Sequence, residues 1–170
     1  MSDLRSSPIP EPTAEDHLRG ESHLPLVVFY GDFSCPFCAL THERLQTVQV
    51  RTIFRHFALK SRPRALALAT AVEAAAAQGA FWEMHDALYE DPAHTEDPDL
   101  WRIAERLGLD LDRFQGDRRS QPVIERVGRD LQSGMRGGVA GTPTLFLAGV
   151  AYPGPPTQEF LCLLASTAVR

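Results

Sequence analysis

Lysine is almost missing from this chain: Lys60 is the one lysine among 17 basic residues, and the others are arginine. Against 22 acidic residues this leaves a formal net charge of −5. The basic excess on one face or stripe that marks nucleic-acid binding is lacking, so no nucleic-acid partner is expected. Long apolar runs are lacking as well. Nothing approaches the roughly 18–20 residues that a membrane helix needs, and no membrane partner is expected. The leading stretch MSDLRSSPIPEPTAEDH has no apolar region of the kind a secretory signal carries, which makes the cytoplasm the expected location. Cysteine is scarce: three residues are too few, and odd in number, for a disulfide scaffold. A length of 170 residues predicts one domain, or one domain carrying an insertion, with enough chain to bury a core.

What is present falls into segments. Residues 1–23 contain three prolines and little apolar periodicity, and they read as a flexible arm. Leu26 to Tyr30 is a short β-rich apolar run ending at Gly31, the pattern of a strand buried on both faces. After Asp32-Phe33-Ser34 comes Cys35-Pro36-Phe37-Cys38, which opens a helix to about Val48; Pro36 fits a first turn, where its missing N–H costs nothing. Val50 to Phe57 reads as a second strand, so residues 24–62 form a βαβ unit. Residues 63–135 are helical in pattern: an Ala-rich stretch stopped by Gly79, an aromatic-faced one over Ala80 to Tyr89, and further pieces from Asp97, Asp110 and Pro122. They predict an inserted helical subdomain. Residues 136–170 return to β-signals, Thr144–Leu147 and Val150–Tyr152 about the turn Ala148-Gly149, followed by a last helix from about Thr157.

Chemistry gathers at Cys35 and Cys38. By itself a C-x-x-C is a redox pair, half a zinc site, or two inert thiols. This one follows a buried strand and opens a helix, where unsatisfied N–H groups and the positive dipole end favour thiolate over thiol. Cys35 is therefore the candidate nucleophile. Cys38, one turn on, is the candidate resolving thiol. Zinc needs four ligands, and Cys35, Cys38 and His42 supply three, with no second pair in sight. No metal and no organic cofactor is expected.

Four stretches resemble the thioredoxin superfamily, specifically the DsbA-like thiol–disulfide oxidoreductases: residues 30–38 (YGDFSCPFC), 54–57 (FRHF), 79–85 (GAFWEMH) and 138–146 (GVAGTPTLF). The resemblance covers about residues 24–168. It implies an α/β thioredoxin fold, a βαβ unit plus β-hairpin and C-terminal helix, with the helical subdomain inserted between them. It further implies a cis peptide bond at Thr142–Pro143 beside the thiols, with the backbone ahead of that proline pairing with substrate like an added strand. Phe33, Pro36 and Phe37 then become candidate substrate-docking residues.

Two departures from the pattern stand out. Phe29 occupies the position where many relatives carry a buried acid, so another group must deprotonate Cys38. Asp32 is the nearest acid, and loop or helix capping is its expected role. Phe37 stands where strongly oxidising members have histidine, which predicts a less oxidising couple. Elsewhere, Cys162 is expected to fill the core of the last helix. Trp82 and His85 are expected to pack between subdomain and sheet, one of Arg55 and His56 to face solvent, and the Arg64, Arg118, Arg119, Arg126, Arg129 set to form a solvated face.

The resulting expectation is an enzyme, a monomer, that exchanges a dithiol or disulfide with protein or small-molecule substrates, with glutathione or a thioredoxin-type reductant as partner. A non-catalytic module that binds through the Pro143 groove, and a glutathione-linked isomerase or transferase, remain as alternatives. In the cytoplasm the thiol pool favours net reduction of substrates.

Overall fold

The computed structural model describes residues 8–167. Five strands are present among them: β1 (His17–Arg19), β2 (Leu26–Gly31), β3 (Arg51–His56), β4 (Thr144–Leu147) and β5 (Val150–Pro153). They form one sheet in the order β1-β3-β2-β4-β5. The central pair β2 and β3 is parallel, with Val28 opposite Ile53 and Gly31 opposite His56, and the other neighbours are antiparallel. Helix α1 (Pro36–Leu45) makes the crossover between β2 and β3. Five helices stand between β3 and β4: α2 (Ala65–Ala76), α3 (Phe81–Glu90), α4 (Asp97–Arg106), α5 (Leu111–Asp117) and α6 (Gln121–Arg136). Helix α7 (Gln158–Thr167) follows the β4–β5 hairpin.

The central strands alternate between two buried faces, as a strand covered on both sides must. Val27, Phe29 and Phe54 point into the larger core with α1, Met84, Leu88 and Tyr89 of α3, and Phe160 and Leu164 of α7. Val28, Tyr30 and Ile53 point the other way, onto Phe57, Val139 and Leu131 of α6. The inserted helices thus share one continuous core with the sheet. Gly134 in α6 lets the helix approach closely, since a Cβ there would meet the Phe57 ring at 2.8 Å.

Residues 8–23 correct the expectation of a flexible arm; residues 1–7 of that stretch lie outside the described residues. His17–Arg19 extends the sheet, pairing antiparallel with Thr52–Phe54. Polar anchors that leave no apolar pattern hold it there. Arg55 donates to both carboxylate oxygens of Asp16 at 2.9 Å and to the carbonyl of Pro10 at 2.9 Å. The His17 ring stacks on Phe81 at 3.5 Å and hydrogen-bonds Glu73 at 2.8 Å.

Arg55 and His56 are both buried, on opposite faces, and neither faces solvent. His56 shares Glu73 with His17, at 2.8 Å, while its backbone N–H donates to Asp130. Glu73 accepts both imidazoles, and these contacts hold its carboxyl far below the usual range despite the opposing cost of burial. The arginine set is only partly a solvated face: Arg118 and Arg126 are largely covered, Arg118 against Asp97 and Arg126 against Asp130.

Candidate active site

Strand β2 ends at Gly31, and the chain turns through Asp32 into α1. The Asp32 carboxylate is buried and fixes this turn, accepting from the Ser34 N–H at 2.8 Å and the Ser34 hydroxyl at 2.7 Å. Its carbonyl accepts the Cys35 N–H at 3.0 Å. This is the capping role the sequence predicts for Asp32. Cys35 occupies the N-cap of α1 in an extended conformation, followed by Pro36 in the first turn. Its carbonyl accepts the Cys38 N–H at 3.0 Å, so the two cysteines are tied across one turn.

Both thiols are free in this structure. Cys35 is 3% exposed and Cys38 not at all. The Thr142–Pro143 peptide is cis, and the Thr142 carbonyl accepts a hydrogen bond from the Cys35 thiol at 3.5 Å. Pro143 is buried and Thr142 partly so. The structure thus gathers Cys35, Cys38, Thr142 and Pro143 at one end of the central strands.

The two sulfurs differ sharply in acidity. Cys38 is the largest reason that Cys35 falls to about 4; burial opposes the shift, and Arg62 and Thr142 add to it. Cys38 moves the other way, driven up mainly by burial and then by the neighbouring Cys35. Arg62, in the loop after β3, is the residue that sequence reasoning missed. Its guanidinium reaches Asp32 at 3.4 Å, and its influence on Cys35 brings near that thiol the positive charge that Phe37 lacks. Its sequence neighbours, Ser61 and Pro63, carry no hint of this, because a fold contact alone brings the loop to the thiols.

Phe33 corrects the docking assignment. It is buried, 3% exposed, with its ring 5.1 Å from Phe54 and 4.7 Å from Tyr89. The cause is the turn at Asp32, which aims residue 33 inward under the sheet end. Phe37 is 59% exposed and Pro36 is also exposed, so these two form the apolar rim of the site. Trp82 and His85 pack as expected, with His85 buried among Phe33, Phe54 and Tyr89 and the Trp82 indole donating to the Leu18 carbonyl. Cys162 is exposed and not a core residue. In α7 the residues turned inward are Phe160, Leu161 and Leu164, and position 162 falls on the opposite side of the helix.

Among the described residues, Cys35, Cys38 and His42 do not converge as a ligand set. His42, His85 and Asp86 do bring one ligand atom each within 4.8 Å of one another. Arg19, however, holds both Asp86 oxygens at 2.8 Å, and its charge opposes a cation there. No helix is long and apolar enough to cross a membrane among the described residues.

Comparison with known proteins agrees with this geometry. A family profile described as DSBA-like thioredoxin domain matches residues 26–163. The thioredoxin-like oxidoreductase of Silicibacter pomeroyi DSS-3 superposes with a TM-score of 0.78 at 23% identity, over 92% of this chain and 94% of that one. The thiol-disulfide exchange protein alpha-DsbA2 of Wolbachia pipientis gives 0.78 at 18% identity, over 92% and 87%. Curated relatives include "Na(+)/H(+) antiporter NhaA 3" of Salinispora tropica, 39% identical over 160 residues, which are 90% of this chain and 24% of that protein. "Na(+)/H(+) antiporter NhaA 1" of Mycolicibacterium vanbaalenii is 39% identical over 150 residues, 82% and 24%. The chain spans about a quarter of the length of these curated relatives. With the α/β sheet, the inserted helices and the Cys35–Cys38 pair set against Pro143, the match over most of its length means that the chain belongs to the DSBA-like thioredoxin domain family.

Proposed function

We propose that the chain is a thiol–disulfide oxidoreductase in which Cys35 forms a mixed disulfide with substrate and Cys38 resolves it. The observation that carries this is the division between the two sulfurs. Cys35 sits at a helix N-cap with its ionisation at about 4, and Cys38 lies one turn deeper with its ionisation pushed up. A thiolate at neutral pH attacks, while a protonated neighbour waits until the first bond has formed. In the attack the Cys35 thiolate bonds one substrate sulfur and the other leaves with the electron pair. Cys38, having given its proton to solvent, then bonds Cys35 and expels the first sulfur. The dithiol is oxidised and the substrate disulfide reduced.

Substrates on this reading are disulfides of proteins or small molecules, docked on the exposed Pro36 and Phe37, with backbone at Gly141–Thr142 accepting an added strand. No organic cofactor is needed. A cytoplasmic location and a monomeric state belong to the same proposal, with glutathione or a thioredoxin-type protein as the electron donor. A stabilised Cys35 thiolate favours the dithiol form and so a more oxidising couple than Phe37 alone predicts; in a reducing compartment the dithiol is the form present to attack a substrate disulfide.

A second reading draws on the relatives. The matched stretch is about a quarter of chains named as Na(+)/H(+) antiporters, which favours a redox module that serves a membrane transporter. One experiment addresses both. Cys38→Ser should trap partners on Cys35 as mixed disulfides that are lost in Cys35→Ser. Several unrelated proteins support the first reading, a transporter alone the second, and no adduct at all overturns both.

A further inference from the structure

The Tyr89 hydroxyl is buried and makes no hydrogen bond. Its ring is well placed, 6.3 Å from Phe29 and stacked on His42 at 5.4 Å, and a phenylalanine would fill the same space without burying an unpaired polar atom. The oxygen lies against Gly31, the last residue of β2 before the turn that carries the thiols. A Cβ on Gly31 would come within 2.9 Å of it, so glycine at the end of β2 is what makes room for this oxygen. Tyr89 and Cys38 belong to one buried cluster with Cys35 and Phe33.

The groups that face Cys38 can be counted off by element. Cys35 lies at the start of α1 and Asp32 in the turn before it; Arg62 comes from the loop after β3, Thr142 from the loop before β4, and Tyr89 from α3. On the far side of the Tyr89 ring lie His42 and His85, both held neutral by burial, His85 down to about 3. The Asp32 carboxylate is already engaged by Ser34 and Arg62. Cys35, once bonded to substrate, is no longer an anion for Arg62 to serve or a partner for the Cys38 proton. Burial, then the Cys38 sulfur and Asp32, push Tyr89 well above its usual range, so it remains a donor at neutral pH and does not act as a base.

We propose that Tyr89 is the hydrogen-bond donor that stabilises the Cys38 thiolate during resolution of the mixed disulfide, its idle hydroxyl turning onto that sulfur when the proton leaves. The inference rests on the thiol–disulfide exchange proposed above. The proton of Cys38 goes to solvent and is matched by protonation of the departing substrate thiolate. Cys35–Cys38 forms as the Cys35–substrate bond breaks, and Tyr89 keeps its own proton throughout.

The test is stopped-flow reaction of the reduced protein with the chromogenic disulfide dithionitrobenzoate. The first thiolate released reports attack by Cys35 and the second reports resolution by Cys38. In Tyr89→Phe the first phase is expected to be unchanged, while the second slows about tenfold at neutral pH and its pH profile moves up by about one unit. Slowing of both phases alike marks a structural role and overturns the proposal, as does a second phase slowed without displacement of its profile, or not slowed. Fluorotyrosine at position 89 keeps the shape and strengthens the donor. It should speed the second phase, and an unchanged rate overturns the proposal even where the phenylalanine variant does not fold. Absence of the second phase in the unaltered protein instead overturns the exchange reading itself.

Discussion

The Cys35 sulfur lies 3.5 Å from the carbonyl oxygen of Thr142, a residue 107 positions further along the chain. That contact joins the two halves of the sheet across the whole helical insertion. It places the N-cap of α1 against the one cis peptide bond among the described residues. Everything proposed for the pair depends on this juxtaposition and on the loop that adds Arg62 to it.

Arg62 sets the charge near Cys35. Replacing it with glutamine removes the cation near Cys35, and the ionisation of that thiol should rise by about one unit. Ultraviolet absorbance of the thiolate, followed as a function of pH, measures the shift directly. An unchanged titration would show that Cys38 and Thr142 hold the thiolate without Arg62.

The acidity of Cys35 also makes the stability of the reduced protein depend on pH. Its ionisation is lowered from 9.0 to about 4 in the folded state, so folding favours the thiolate. That contribution is fully present above about 9, shrinks steadily as pH falls, and is gone below about 4. Denaturant titrations of the dithiol protein and of Cys35→Ser should therefore diverge with rising pH across this window. Parallel curves would place the Cys35 ionisation near its ordinary value.

Gly31 closes β2 where three side chains meet. A Cβ there would stand 2.6 Å from the Phe54 ring, 2.9 Å from the Tyr89 hydroxyl and 3.0 Å from the Phe29 ring. Gly31→Ala should destabilise by about 1–3 kcal/mol through overpacking and disturb the thiols above it. Chemical denaturation together with the Cys35 alkylation rate tests both effects.

Asp16 and Arg55 form an ion pair whose side chains are 6% and 4% exposed. Asp16→Ala leaves a buried guanidinium without its carboxylate and should cost about 3 kcal/mol, releasing β1 from the sheet edge. Hydrogen exchange at His17–Arg19 reports the release. The Asp16 carboxyl lies below its usual value because Arg55 and the Thr13 N–H bond it, against burial, so its contribution is present above the unfolded carboxylate range and fades as pH falls through the folded value.

Cys162 is exposed on α7 with Gln158 beside it. Cys162→Ser should change stability by no more than about 0.5 kcal/mol and leave exchange by Cys35 intact. What it should abolish is slow covalent dimer formation in oxidising buffer, visible on a non-reducing gel.

Several elements were legible from local pattern. The apolar run Leu26–Tyr30, the proline after Cys35, and the hairpin about Ala148-Gly149 each state their conformation within a few residues. Helix starts and stops were right to within a few positions, since glycine and proline punctuate them. The N-terminal strand was not legible, because its anchors are Asp16, His17, Arg55 and Glu73, polar residues whose pairing no periodicity announces. Phe33 and Cys162 were misplaced for a related reason: an apolar residue in a turn or a short helix does not declare which way it faces.

By itself, then, the sequence determined the local placement of the two cysteines: a strand, a turn and a helix in that order present Cys35 at a helix N-terminus with Cys38 one turn on. The tertiary structure alone decided what surrounds them. Arg62 beside Cys35, the idle hydroxyl of Tyr89 in the same buried cluster as Cys38, and Thr142 across from both are brought together from three separate segments. Acidity is set by burial and by neighbours in space, and such neighbours belong to the packing of the sheet against its helices and not to any local run of residues.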